Sequence, residues 1–226
     1  MTQSLFVTAI GTDCGKTHVS AALLRELTRQ GRDVVALKPL MSGFDPAALE
    51  GSDAGRLLAA MGRPAAQAAV DAMVWRRFPD WLAPNVAARR AGVSLAYDDL
   101  LAFVEQRRSP SGLTLIEGAG GVMSPLTDTH TNLDLMADLR APALLLAASY
   151  LGAVSHTLTA LDALRHRGLD VAAIVVTQPA PESGEPASFI DELARWTAIP
   201  LIAAPYAQTP DADRRFAAPL VARLYP

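Results

Sequence analysis

The sequence predicts an α/β fold, a doubly wound, mostly parallel sheet with helices on both faces. Three observations carry this expectation. Short unbroken apolar runs recur along the chain, stretches with helical spacing separate them, and the first run passes through a glycine-bearing loop straight into a helical pattern. Strands covered by helices on both sides read as continuous apolar segments rather than alternating ones. Their alternation with helices is the pattern of a parallel sheet.

Residues 4–10 form the first expected strand. Residues 18–30 carry Val19, Ala22, Leu23 and Leu27 on one helical stripe, and Gly31 ends that helix. Further strands are expected at 33–37, 113–116, 143–148, 171–176 and 201–203. Helices are expected at 95–106, 132–139, 153–167 and 187–196, with short helices somewhere within 44–92. The Pro- and Glu-rich segment 177–186 follows a strand and reads as a loop at the strand's end rather than a domain boundary. The whole of 1–226 reads as one domain. Pro219 should interrupt any amphipathic helix at the C-terminus, leaving a packed terminal segment.

Composition removes several function classes. The chain has 226 residues, of which 50% are hydrophobic, enough for a substantial core. Twenty basic residues against 23 acidic ones give a net charge of −3, which argues against a nucleic-acid partner. A single Cys, Cys14, excludes an internal disulfide framework and a cysteine zinc site. The N-terminus lacks the basic start of a signal peptide. The long uncharged stretch 141–161 contains Pro142, Gly152 and several hydroxylated residues, so it reads as strand, turn and helix rather than a membrane span. A cytoplasmic protein without a membrane partner is expected. Within the basic count, 18 residues are Arg and only two, Lys16 and Lys38, are Lys. A bias toward Arg that spares two positions directs attention to them.

Both lysines follow strands. The first strand leads into IGTDCGKTHVS. Gly15-Lys16-Thr17 between strand and helix is the arrangement of a phosphate-binding loop, and it makes the fold a P-loop NTPase type. Backbone N–H groups there would face an anion. Lys16 would reach the β- and γ-phosphates, and the Thr17 hydroxyl would hold Mg²⁺. The spacing is one residue short of the common motif, with Gly11 as the first loop glycine. The strand at 113–116 ends at Glu117, where a Walker-B carboxylate belongs. Gly118, Gly120 and Gly121 after it would let backbone approach a ligand. Asp53 is either a helix N-terminal residue or a further metal ligand. Pro39 keeps Lys38 extended, at the same sheet edge as the loop. Cys14 has no legible His or Asp partner and reads as a small loop residue. The four histidines lack metal-ligand spacing. Paired arginines such as Arg76-Arg77 read as solvated surface.

These residues together resemble the dethiobiotin synthetase family, ATP-dependent ligases of biotin biosynthesis. The likeness rests on FVTAIGTDCGKT, ALKPLMSG, Ser52-Asp53, IEGAGGVMSPLTDTHTNLDL and PALLLAASYLGAVSHTL, and it extends to about residue 178. It implies that ATP, CO2 and 7,8-diaminononanoate are the small-molecule substrates and that a cyclic urea forms through a carbamate and a carbamic–phosphoric anhydride. It implies that Lys16 steadies the transferring phosphoryl group, Lys38 sits over the carbamate and Ser42 contacts the substrate. Thr17, Asp53 and Glu117 would hold Mg²⁺. The nucleotide would also meet Asp13, Cys14, Gly15, His18, Gly118, Ala119, Gly120, Thr177, Gln178, Pro205 and Tyr206. A homodimer is implied, with Leu151, Gly152 and Ala153 offering backbone N–H groups to the substrate carboxylate across the interface.

The chain departs from the family in four places. Aligned without gaps, the family's first loop glycine falls on Ala9, and the loop interior differs at Ile10, Gly11, Asp13 and Cys14. Thr177-Gln178 replaces an Asn-Asp pair whose Asn reads adenine. Ala83-Pro84-Asn85 replaces a Ser-Pro-His segment. The tail beyond Tyr206 aligns poorly. Two other readings share the loop: a partner-regulated switch ATPase of the ParA/MinD type, and an amidoligase resembling cobyrinic acid diamide synthases. The second usually carries a glutaminase domain with a nucleophilic Cys, for which this chain has no room after residue 203.

Overall fold

Six parallel strands form the core of the computed structural model, which describes residues 3–206 and 209–225. In chain order the elements are β1 (Gln3–Ala9), α1 (Lys16–Arg29), β2 (Val34–Leu37), β3 (Leu40–Met41), α2 (Asp53–Ala60), α3 (Gln67–Met73), β4 (Arg76–Arg77), α4 (Pro84–Arg90), α5 (Tyr97–Arg107), β5 (Leu113–Glu117), α6 (Asn132–Asp138), β6 (Ala143–Ala148), α7 (Ala153–His166), β7 (Val171–Thr177), α8 (Pro186–Leu193), β8 (Leu201–Ala204) and α9 (Pro210–Leu224). The sheet runs β2-β5-β1-β6-β7-β8, and every pairing in it is parallel. The expected fold class and all six expected strands are present.

Alternation along β1 divides the core in two. Leu5 and Val7 face one side, where they pack with Leu23 and Leu27 of α1, Leu57 of α2 and Leu220 of α9. Phe6 faces the other, with Leu100 of α5, Met136 of α6, Leu161 of α7 and Ile116 of β5. A period of two in the strand thus meets helical stripes on both faces. Residues of β5 and β6 are buried along their full lengths, as central parallel strands should be.

The reversal of winding falls between β1 and β5. The chain goes from β1 outward to β2, returns to β5, and then continues through β6 to the far edge. Ligands in open α/β sheets bind at the C-terminal strand ends near such a switch point. The loops after β1, β2 and β5 all leave the sheet there.

Two features depart from expectation. The tail does not stop at Pro219, since α9 continues through it to Leu224. Proline removes one backbone donor, but Phe216, Ala217, Leu220 and Val221 are buried against the α1 face and hold the helix across that gap. Polar contacts add to this seam. Asp213 meets Arg25 at 2.6 Å and His18 at 2.9 Å. The second departure is a ribbon beside the main sheet, in which β3 pairs in parallel with β4. Its ladder continues as Phe78 N–H donating to the Met41 carbonyl, Phe44 N–H to Phe78 and Gly43 N–H to Asp80.

Candidate active site

The loop after β1 turns on two left-handed residues, Asp13 at φ 56° and Gly15 at φ 76°. Asp is among the few non-glycine residues that tolerate this region, and glycine adopts it freely. Gly15 is also the N-cap of α1, and no side chain caps that end. The first N–H groups of a 14-residue helix therefore point out of the loop with no acidic residue in the first turn. That is an anion-receiving geometry. The loop is braced from two sides. Thr177 Oγ1 donates to the Cys14 carbonyl at 3.0 Å, and Lys16 Nζ donates to the Gly11 carbonyl at 3.1 Å. Cys14 is buried, burial pushes its thiol pKa up, and its Sγ–H points to the Thr12 carbonyl. This supports the small-loop-residue reading over a nucleophile.

Lys16 lies 5 residues beyond that carbonyl and is itself buried. Burial lowers its pKa, and the Lys38 ammonium lowers it further. Lys38 is buried too, at the end of β2. Its Nζ donates to Glu117 Oε1 at 2.7 Å and to the Gly118 carbonyl at 3.2 Å, and lies 3.0 Å from Asp53 Oδ2. Burial alone would depress its pKa. The Glu117 and Asp53 carboxylates overcome that, so the group is held firmly charged and its pKa is raised. Asp53 shifts the other way. Its pKa is lowered, because Lys38 and the Thr17 hydroxyl outweigh burial.

Asp53 occupies the helix N-terminal position, and its side chain also turns toward the phosphate-type loop. It is the first residue of α2, whose N-cap Ser52 accepts from the Gly55 N–H, and its carboxylate reaches the loop. Thr17 Oγ1 lies 2.8 Å from Asp53 Oδ1 and 2.8 Å from Glu117 Oε1. A hydroxyl has one proton for those two oxygens. Glu117 is fully buried, and its Oε2 has no hydrogen-bond partner. An orphaned carboxylate oxygen beside a second carboxylate and a hydroxyl is the oxygen donor set that Mg²⁺ prefers. Among the described residues no three His, Cys, Asp or Glu side chains cluster as a self-sufficient metal site. The set fits a cation that also takes ligands from a phosphate.

A cavity of about 980 Å³ opens over these groups. It collects Asp13, Gly15, Lys16, Thr17, His18, Lys38, Ser42, Asp53, Ala119, Gly120, Thr177, Gln178, Pro205 and Tyr206 from the sequence-derived set. Glu117 and Gly118 lie just behind, through the bonds to Thr17 and Lys38. The Ser42 hydroxyl is buried and has no partner. Three expected residues are elsewhere. Leu151, Gly152 and Ala153 form the head of α7, and Leu151 is completely exposed. None of the three lines this cavity.

At one end of the cavity, Thr177 and Gln178 are held by neighbouring loops. At the family's Asn-Asp position, the Thr177 hydroxyl is committed to Cys14. The Gln178 amide donates to the carbonyls of Pro181 and Ser183, and its Oε1 accepts from the Tyr206 N–H. Both side chains serve as braces for neighbouring loops.

Residue-by-residue reading overlooked three positions. Asn132 is fully buried and donates to the Ala119 and Gly121 carbonyls at 2.7 and 2.8 Å, tying the loop after β5 to α6. Its signal was present as a polar residue one place after the capping Thr131. Arg56 and Trp81 line the cavity with no motif to announce them.

A family model described as an AAA domain matches residues 3–208. Similar proteins carry the name ATP-dependent dethiobiotin synthetase BioD. The one from Caulobacter sp. (strain K31) is 48% identical over 92% of this chain and 90% of its own length. The one from Phenylobacterium zucineum is 49% identical over 88% and 87%. The one from Caulobacter vibrioides (strain NA1000 / CB15N) is 54% identical over 78% and 80%. A solved structure of the signal recognition particle receptor FtsY from Elizabethkingia anophelis covers all of this chain and 66% of its own, at 14% identity and a TM-score of 0.49, too distant a likeness to bear on function.

Proposed function

This chain belongs to the dethiobiotin synthetase family, and we propose that it closes the cyclic urea of dethiobiotin from 7,8-diaminononanoate and CO2 at the expense of ATP. The observation that carries this is the convergence of both lysines of the chain on one cavity, Lys16 in the phosphate-type loop and Lys38 paired with the Glu117 and Asp53 carboxylates beside it. The loop alone is shared with switch ATPases; the second lysine, buried at the end of β2 beside it, favours the ligase reading.

In this reading an amine of the substrate adds to CO2 and releases a proton, giving a carbamate. A carbamate oxygen takes the γ-phosphoryl group from ATP and ADP leaves. The second amine attacks the activated carbonyl carbon, phosphate departs, the attacking nitrogen gives up a proton to the departing phosphate or to water, and the ring closes. Each intermediate is anionic and forms where Lys16 and Lys38 present compact positive charge. The free N–H groups of α1 and Lys16 orient the phosphates, and Lys38 orients the carbamate. Ser42 offers its unpartnered hydroxyl to the acceptor. Thr17, Asp53 and Glu117 would hold Mg²⁺, which supplies charge neutralisation to the phosphoryl oxygens. One domain, a homodimer whose α7 head completes the partner's acceptor site, and a cytoplasmic location go with this reading. The full exposure of Leu151 supports the dimer.

The test is phosphate release with each substrate withheld in turn. Release that requires both the diamine and CO2, with dethiobiotin detected by mass spectrometry, is expected. Nucleotide turnover indifferent to the diamine would overturn the reading.

A further inference from the structure

Trp81 stands out among the cavity residues. It is 86% exposed, although it lines the cavity with Lys38, Leu40 and Ser42. One face of its indole is seated on Gly43, where an added Cβ would lie 2.4 Å from the ring. Gly43 is at φ 69°, and its N–H bonds to the Asp80 carbonyl, one residue before Trp81. The ribbon of β3 and β4 thus fixes the indole at one position while leaving its other face in water. A large rigid apolar surface held out of the core suits contact with a ligand.

Position decides which ligand part it meets. Thr177 ends β7, Gln178 follows it, and Pro205 and Tyr206 follow β8, all on one side of the phosphate-type loop. Trp81 and Ser42 belong to the chain after β2, at the opposite edge of the sheet. The nucleoside and the indole therefore lie at opposite ends of one cavity. The acceptor reacts over Lys38, and a hydrocarbon chain separates its amines from its carboxylate.

Resting on the proposed function, we propose that Trp81 is a specificity-determining residue whose free face holds the hydrocarbon chain of the diamino acid. Diamines with longer apolar chains are thereby preferred over short ones. Each methylene kept from water is worth about fourfold in affinity, so two methylenes against the indole give roughly fifteenfold.

The experiment compares wild type, Trp81→Ala and Trp81→Phe with 7,8-diaminononanoate and with a homologue two methylenes shorter. In Trp81→Ala, KM for the long diamine should rise about tenfold while kcat changes little, and the preference for the long substrate should shrink. Trp81→Phe should restore most of it, and KM for ATP should not move. Diamine binding should alter the tryptophan emission of wild type and not of Trp81→Phe. A Trp81→Ala enzyme with unchanged KM and unchanged chain-length preference overturns the inference, as does a rise confined to KM for ATP. If wild type itself neither binds the diamine nor turns over with it, the proposed function fails, and Trp81 falls with it.

Discussion

Replacing Lys38 with Met tests whether the buried ammonium holds the two acids together. Met keeps the length and apolar stem but removes the charge. Lys38 and Glu117 are almost fully enclosed, with side-chain exposures of 5% and 0%. Removing one member of a buried ion pair and stranding the other costs about 3–5 kcal/mol. Asp53 is partly open to water, at 41%, and adds little. For a chain of this length about 2–4 °C of Tm accompanies each kcal/mol, so thermal unfolding should occur roughly 6–20 °C lower. The pH dependence has a defined sign. The folded-state pKa of Lys38 is raised, so its contribution is full below the unfolded value near pH 10.4 and fades as pH rises through the folded one. The gap between wild type and Lys38→Met should hold from pH 6 to 9 and narrow only above about pH 10.4. A Tm loss below about 2 °C at pH 7, in a variant that still folds cooperatively, would refute the reasoning, because Glu117 would then tolerate isolation.

Two further outcomes are expected. Asn132→Ala should lose about 2–3 kcal/mol in chemical denaturation, because the Ala119 and Gly121 carbonyls each lose a donor, and kcat/KM should drop as the loop after β5 loosens. The engagement of Thr177 and Gln178 in bracing predicts weak base discrimination, with KM for GTP within about tenfold of that for ATP in steady-state turnover. A hundredfold preference for ATP would show that another group reads the base.

Much of this was legible before any coordinates because buried parallel strands leave continuous apolar runs. The runs at β1, β5, β6 and β7 needed nothing else. The scarcity of lysine located both cavity lysines. The ribbon of β3 and β4 was not legible, since two-residue strands have no periodicity to detect. Trp81 depends on that ribbon and was hidden with it. Pro219 misled because backbone chemistry was weighed without the apolar seam against α1. The α7 head was singled out by resemblance alone, and that it does not line the cavity could not be read from spacing.

The floor of the cavity has an electrical consequence. Lys16 and Lys38 are matched in number by Asp53 and Glu117, so the four groups carry no net charge between them. From outside the mouth, they cast little long-range field toward an approaching polyanion. Attraction begins only at hydrogen-bond range, when phosphate oxygens meet the α1 N–H groups and Lys16. Capture of the nucleotide at this floor is thus governed by fit rather than by electrostatic steering, and its rate should be largely insensitive to ionic strength.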